Sequence, residues 1–289
     1  MKRAMLANRS MSGRPHKIPI SVIVVTKNEE RRVARCLDAL SDFSEVIIVD
    51  SMSDDKTREI AATKGARVVQ FTWNGQYPKK RGWCLAHLDT AHDWILWIDA
   101  DEIVTPALVS ELRALNLGKA YGGYFIRGRY VFEGQALRFG LKNNKLALMN
   151  RGAMEFPVID DLDIEGMGEI EGHYQPCLKD GQGDLRIGQI SAALLHDAYD
   201  DPAAWNARHV RYAAWERAMD TRGAWPREQS AARRIIKAIF KALPFRGGAA
   251  FLHCYVWKLG ALDGARGFRF ARSRHQYYRM INQVRFSAR

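Results

Sequence analysis

Trp94-Ile95-Leu96-Trp97-Ile98-Asp99-Ala100-Asp101-Glu102 is the stretch that decides how the chain is read. An apolar run ends abruptly in two carboxylates one residue apart, the pattern of a buried strand that delivers acids to its carboxyl end. In open α/β sheets ligands collect at that edge. Asp-x-Asp on extended backbone offers oxygens to a hard divalent cation that keeps the rest of its coordination sphere for water and phosphate. Asp99 and Asp101 are therefore the first site candidates. The same acids also suit a plain strand end before a helix, because Thr105-Pro106 opens one and acids are favourable near its N-terminus. The flanking sequence has to decide.

Upstream, Ile20 to Val25 is a continuous apolar, β-branched run followed by Thr26-Lys27-Asn28-Glu29. Val33, Leu37 and Leu40 then recur at helical spacing. Val46 to Val49 is a second strand ending in Asp50, and Ser51 to Thr57, with Asp55, is a turn and cap cluster before a helix to about Lys64. Ala66 to Phe71 reads as a third strand, and Lys80 to His92 as the helix that leads into the opening stretch. Four apolar strands alternating with helices predict a Rossmann-like α/β fold, a mostly parallel sheet flanked by helices and wound by right-handed crossovers. Crossovers gather the strand ends, so Glu29, Asp50, Asp99 and Asp101 are expected along one crevice, with Lys80 and Arg81 adding positive charge. Neither G-x-G-x-x-G nor G-x-x-x-x-G-K-[ST] is present, so phosphate must be held another way, and a metal on Asp101 would do it.

Taken together, T-K-N-E at 26 to 29, V-D-S-M-S-D-D-K-T at 49 to 57, K-K-R at 79 to 81 and W-I-D-A-D-E at 97 to 102 resemble the family 2 glycosyltransferases of the GT-A fold, in order and approximate spacing. The likeness covers about residues 20 to 115; more loosely, the whole chain looks like the bacterial non-processive branch that includes lipopolysaccharide-core glucosyltransferases. The resemblance implies that Thr26, Asn28, Glu29 and Asp50 belong to the nucleotide-sugar site, with Glu29 and Asp50 on the nucleoside. Asp55 would hold that loop, Asp99 reach the ribose, and Asp101 bind Mg²⁺ or Mn²⁺. Met52 stands where glycine is commoner, and the Q-x-x-R-W of processive members is absent, which favours one sugar added per encounter.

Beyond Leu115, Tyr124 to Phe132 and Lys145 to Met149 read as strands, with Arg127, Arg129, Arg138 and Lys142 among aromatics on the acceptor side. An inverting transfer needs a carboxylate to take the acceptor hydroxyl's proton, and the acid-rich segment 160 to 171 is the one late enough to face the crevice. Glu171 in E-I-E-G-H is favoured because family relatives place an acid beside a histidine there; Glu169 and Asp161 are the alternatives. His196 resembles the family position that can complete the metal shell.

Composition sets the outer bounds. The chain has 289 residues, 47% of them apolar, which is ample for a core and excludes global disorder. Four cysteines stand too far apart for C-x-x-C chemistry, so a reducing compartment is the simplest expectation. The net charge of +12 is concentrated late: residues 203 to 289 hold 18 Lys/Arg against 4 Asp/Glu, leaving the remainder slightly acidic. Ala203 to Asp220 and Ser230 to Leu243 have helical patterning, the second with Ile235, Ile236, Ile239, Phe240 and Leu243 opposite Arg233, Arg234, Lys237 and Lys241. Such a helix suits an anionic membrane surface, and Phe251 to Leu262 is too interrupted to span one. The expected organisation is a loose basic tail over 1 to 17, a glycosyltransferase domain over 18 to 200 and a basic amphipathic helical appendage over 201 to 289. The expected function is an inverting, metal-dependent transfer from a nucleotide sugar, UDP-linked, to a lipid-attached saccharide, on the inner face of a bacterial inner membrane and without a nucleic-acid partner. Two other readings compete. D-A-D-E-I-V also fits haloacid-dehalogenase phosphatases, although their motif follows the first strand of the fold, and the basic aromatic C-terminus suits nucleic acid if its aromatics are exposed for stacking.

Overall fold

Continuous β-branched runs become strands buried on both faces. β1 (Ile18–Thr26), β2 (Phe43–Asp50), β3 (Arg67–Gln70) and β4 (Trp94–Asp99) pair in parallel in the order β3-β2-β1-β4, with helices α1 (Val33–Asp38), α2 (Thr57–Thr63) and α3 (Lys80–His87) as crossovers. This computed structural model describes residues 16–172, 174–197, 199, 202–226 and 231–283. All but the last two residues of the expected basic tail lie outside the described residues, as does His173.

Alternation sorts the apolar side chains onto two faces. Val22, Val24, Ile48, Leu96 and Ile98 pack with Val33 and Leu37 of α1. Ile23, Ile47, Val49, Ile95 and Trp97 pack on the other face with Cys84 and Leu88. Each such side chain is fully or nearly fully buried, a contribution of roughly 1.5–3 kcal/mol apiece. The expected helix from Lys80 to His92 is shorter than its pattern suggested. It stops at His87, and Leu88 turns to extended backbone. Arg151 accounts for the stop, since its guanidinium donates to the Leu85 carbonyl at 2.9 Å and to Thr90 Oγ1 at 2.6 Å, satisfying the end of the helix from outside.

After β4 the chain turns through Ala100 and Asp101 into the two-residue β5 (Glu102–Ile103), and α4 (Pro106–Ala114) starts on a Thr105 cap. β6 (Tyr121–Phe132), β7 (Gln135–Ala136) and β8 (Asn143–Asn150) follow. Next come the small pair β9 (Met154–Glu155) and β10 (Cys177–Leu178), then β11 (Arg186–His196). The main sheet continues β4-β8-β6-β11-β5, so it is parallel in its first half and mixed beyond. β5 is the key to the site: it pairs antiparallel with the end of β11, His196 opposite Glu102, and so draws the last residue of β11 to the Asp-x-Asp turn.

The C-terminal helices are α5 (Pro202–Arg222), α6 (Ala231–Ala242), α7 (Arg246–Leu252) and α8 (Gly264–Gln283). They pack onto the sheet and its loops. Trp215 of α5 is fully buried with Ile164, Met167 and Tyr174, and Phe270 of α8 packs on Tyr130 and Phe132 of β6. A chain cut after Thr221 would therefore strip cover from the sheet's own aromatics. None of the described helices is long and apolar enough to cross a membrane.

Candidate active site

Parallel register aligns the donor edge: Thr26 lies opposite Asp50, and Val25 opposite Asp99. Two turns at this edge are laced together by side chain to backbone bonds. Asn28 N donates to Ser53 Oγ at 2.8 Å, Asp54 N to Asn28 Oδ1 at 3.1 Å, Glu29 N to Thr57 Oγ1 at 2.7 Å and Glu30 N to Asp55 Oδ2 at 3.0 Å. Asn28 and Met52 both sit at positive φ, 57° and 53°. That explains why glycine suits position 52, because a side chain in the left-handed region costs about 1–2 kcal/mol. Met52→Gly is expected to raise the unfolding free energy by about 0.5–1 kcal/mol once glycine's extra chain entropy is subtracted; an unmoved urea midpoint would contradict this.

The cleft above this edge, about 2020 Å³, is lined by Thr26, Glu29, Lys80, Arg81, Asp99 and Asp101 together with Glu169, Glu171 and His196. Asn28, Asp50, Asp55 and Asp161 are not among its lining residues. Asp50 is fully buried and accepts from Thr26 Oγ1 at 3.0 Å and Ser53 N at 2.8 Å, so it shapes the turn from below. Asp161 is likewise engaged throughout, by Lys79 Nζ at 2.6 Å, Tyr77 OH at 2.8 Å and Trp215 Nε1 at 3.2 Å. These contacts anchor its loop, and Asp161 does not line the cleft in which Glu171 and Glu169 lie. Lys80 is also buried, donating to the Thr26 carbonyl at 2.8 Å, and burial pulls its pKa down. It clamps the end of β1 more than it charges the open cleft.

Asp99 accepts from Arg81 Nη2 at 2.5 Å and from Lys145 Nζ at 3.2 Å, and Lys145 also reaches Glu102. Burial raises the Asp99 carboxyl, but Lys145 and then Arg81 outweigh it and hold the group well below the usual carboxylate range. Lys145 was not singled out in the sequence, although a cation beside the apolar run Leu146-Ala147-Leu148-Met149 implies a buried acid as partner.

Asp101 and His196 face each other with Oδ2 and Nε2 3.4 Å apart. Donors on one cation with bonds near 2.1 Å stand about 3–3.5 Å apart. Asp101 Oδ1 and His196 Nδ1 are buried with no hydrogen-bond partner among the described residues. Burial opposes charge on Asp101, yet His196 outweighs it and the carboxyl stays low. No group of three or more metal-binding side chains exists among the described residues. Two protein donors completed by diphosphate and water is, however, how Mg²⁺ is ordinarily held, so the residues fit a divalent cation. Tyr130 stacks on the imidazole, with centroids 5.3 Å apart.

Across the cleft, Glu171 accepts from Gly82 N at 2.9 Å, and burial pushes its carboxyl above its ordinary value against the pull of Arg81. Gly172 fixes the approach, because a Cβ there would lie 2.3 Å from the ring of buried Trp215. Gly172→Ala is expected to cost about 1–3 kcal/mol through overpacking and to lower turnover by displacing Glu171. Differential scanning calorimetry with an activity assay checks both, and a variant with wild-type melting would show that the loop yields freely.

Residues 21–145 match the family described as glycosyl transferase family 2. This stretch is a family 2 glycosyltransferase domain. The GT-A architecture expected from the resemblance is the one observed, and the phosphatase reading falls with it. A protein of Rickettsia typhi named as an uncharacterized glycosyltransferase is 31% identical over 167 residues, 52% of this chain and 56% of that one. The lipopolysaccharide core biosynthesis glycosyltransferase LpsC of Rhizobium meliloti is 31% identical over 97 residues, 32% of this chain and 35% of its own. The chain thus spans about half or less of the length of these curated relatives. Among solved structures, glucosyl-3-phosphoglycerate synthase from Mycobacterium tuberculosis in complex with phosphoglyceric acid is a loose likeness: TM-score 0.42 and 18% identity, over 72% of this chain and 81% of that one. The matched residues end at Lys145, within β8, so Glu171, His196 and all of α5 to α8 lie beyond them.

Proposed function

We propose that the protein is an inverting glycosyltransferase that moves one sugar from a UDP-linked donor to a lipid-attached saccharide. The observation that carries the proposal is the juxtaposition, in one cleft, of Asp101 and His196 with unpartnered buried atoms and of Glu171 with a raised pKa. Glu29 and Asp99 line the part of the cleft that would take the nucleoside and ribose. Glu171 accepts the proton of the acceptor hydroxyl as its oxygen bonds to the sugar carbon and the bond to the diphosphate breaks, with inversion. Mg²⁺ or Mn²⁺ held by Asp101 and His196 would offset the charge that builds on the leaving diphosphate. The test is a thermal shift with UDP and UDP-sugars, with and without Mn²⁺, since a ligand that binds the folded state raises its stability. We expect a shift that needs both nucleotide and metal; none with any nucleotide sugar would overturn the reading.

The membrane surface belongs to the same proposal. Ile235, Ile236 and Ile239 of α6 are exposed, as is Leu243 just past its end, and nearby in sequence Phe245 and Trp257 are 80% and 78% exposed. Phe240, expected on this apolar face, points inward onto Tyr278 at 5.0 Å. Lipopolysaccharide synthesis, named for one relative, is consistent with a lipid-borne acceptor. Replacing Ile235, Ile236 and Ile239 by Ser should weaken co-sedimentation with anionic vesicles by about tenfold or more, in the part that high salt does not remove. Unaltered salt-resistant binding would place the contact elsewhere. The nucleic-acid alternative is less favoured, because Arg234, Lys237 and Lys241 of α6 line the cleft.

A further inference from the structure

α6 is amphipathic in the unusual sense. Its isoleucines face out, while Arg234, Lys237 and Lys241, at i, i+3 and i+7, line the cleft. Around this inner face the balance of charge changes. Among the described residues, five carboxylates meet four cations at the α3 end of the cleft, whereas at the other end seven basic side chains of α5 to α8 line the wall with one carboxylate, Glu216. That carboxylate already accepts from Tyr277 OH at 2.6 Å. Asp220, just behind the wall, is shared by Lys241 Nζ at 2.6 Å and Arg246 Nη1 at 3.3 Å, and takes the Trp225 indole N–H at 2.9 Å as well. Arg274 lies over the rings of Tyr277 and Tyr278, 5.5 and 5.7 Å from their centroids, and its Nε is buried with no hydrogen-bond partner among the described residues. Burial and then neighbouring Lys241 pull the Lys237 ammonium down, as crowding of like charges does.

We infer that this end of the cleft is an anion subsite for the acceptor, which carries a phosphate group held by the inner face of α6 and by Arg274. The inference rests on the proposed transfer and deepens it by naming the acceptor's chemistry. Cations concentrated in a concave wall focus potential on a bound anion, and fork-shaped guanidinium groups favour phosphate oxygens. The two faces of α6 then have complementary uses, the outer one against the hydrocarbon boundary and the inner one on the charged part of the acceptor drawn from it.

The test is calorimetric titration of the full chain saturated with UDP and Mn²⁺, so that the donor end is filled, using glucose, glucose 6-phosphate and a short-chain phosphatidic acid below its micellar concentration. At least one phosphate probe should bind about tenfold or more tightly than glucose, and the double variant Arg234→Gln/Lys237→Gln should weaken it by about tenfold to a hundredfold. Both substitutions are at exposed positions, and a melting curve confirms folding. Binding of glucose 6-phosphate marks a free phosphorylated saccharide as the source, and binding of phosphatidic acid a lipid phosphate. No binding of either probe, or binding that the double variant retains in full, would overturn the subsite. UDP bound normally in that case leaves the donor reading standing while this one falls; UDP unbound removes both.

Discussion

Asp101→Asn should reduce transfer by about a thousandfold or more, since losing charge stabilisation on the leaving group costs several kcal/mol, while leaving the fold intact. The change removes half of the donor pair at the Asp-x-Asp turn and no core volume, and the amide can still face His196 across 3.4 Å. The readout that separates a metal role from general damage is binding. Stabilisation by UDP alone should be similar in both proteins, and the extra stabilisation from Mn²⁺ should vanish in the variant. Full activity in the variant, or wild-type activity in excess EDTA, would remove Asp101 from the metal.

Glu171→Gln is the second large effect, a loss of about 10²-fold or more in turnover, the scale of general-base contributions. The side-chain amide of this variant can still accept from Gly82 N–H, so UDP binding should be nearly unchanged. The pH profile supplies an independent check. In the proposed mechanism Glu171 works only when ionised, and burial raises its pKa. Activity should therefore be present above that raised value and fall as pH drops through it, with the acid limb above the usual glutamate range. The variant's residual activity should lack that limb. If Glu169→Gln reproduced the loss and Glu171→Gln did not, the base would be Glu169, which also lines the cleft beside Lys80 at 3.8 Å.

The parallel half of the sheet was legible because its strands are buried on both faces and their acids fall where the register aligns. Crossovers placed Glu29, Asp50, Asp99 and Asp101 at one edge, and the register sets Thr26 opposite Asp50 and Val25 opposite Asp99. What a given acid does there was less visible. Asp50 and Asp161 look in sequence like Asp99 and Asp101, yet their oxygens are used up by Ser53, Lys79, Tyr77 and Trp215, partners up to 84 residues away. Lys145 escaped notice for the same reason, since its ion pairs are formed across strands. The C-terminal helices were recognisable by periodicity, but periodicity defines faces without saying which one turns inward. For α6 the outward face is the apolar one, the reverse of what a water-soluble helix normally shows.

The first three residues of α3 each grip a different part of the site: Lys80 the Thr26 carbonyl, Arg81 the Asp99 carboxylate and Gly82 the Glu171 carboxylate. One turn of helix therefore acts as a ruler between the Asp-x-Asp edge and the proposed base. In the proposed transfer, any tilt of α3 changes leaving-group alignment and base distance in the same instant, so the two are not tuned separately by distant substitutions. Variants that loosen this helix from beneath, at Cys84 or Leu88, should scatter along a single line when donor affinity is plotted against the acid limb of the rate, instead of filling the plane.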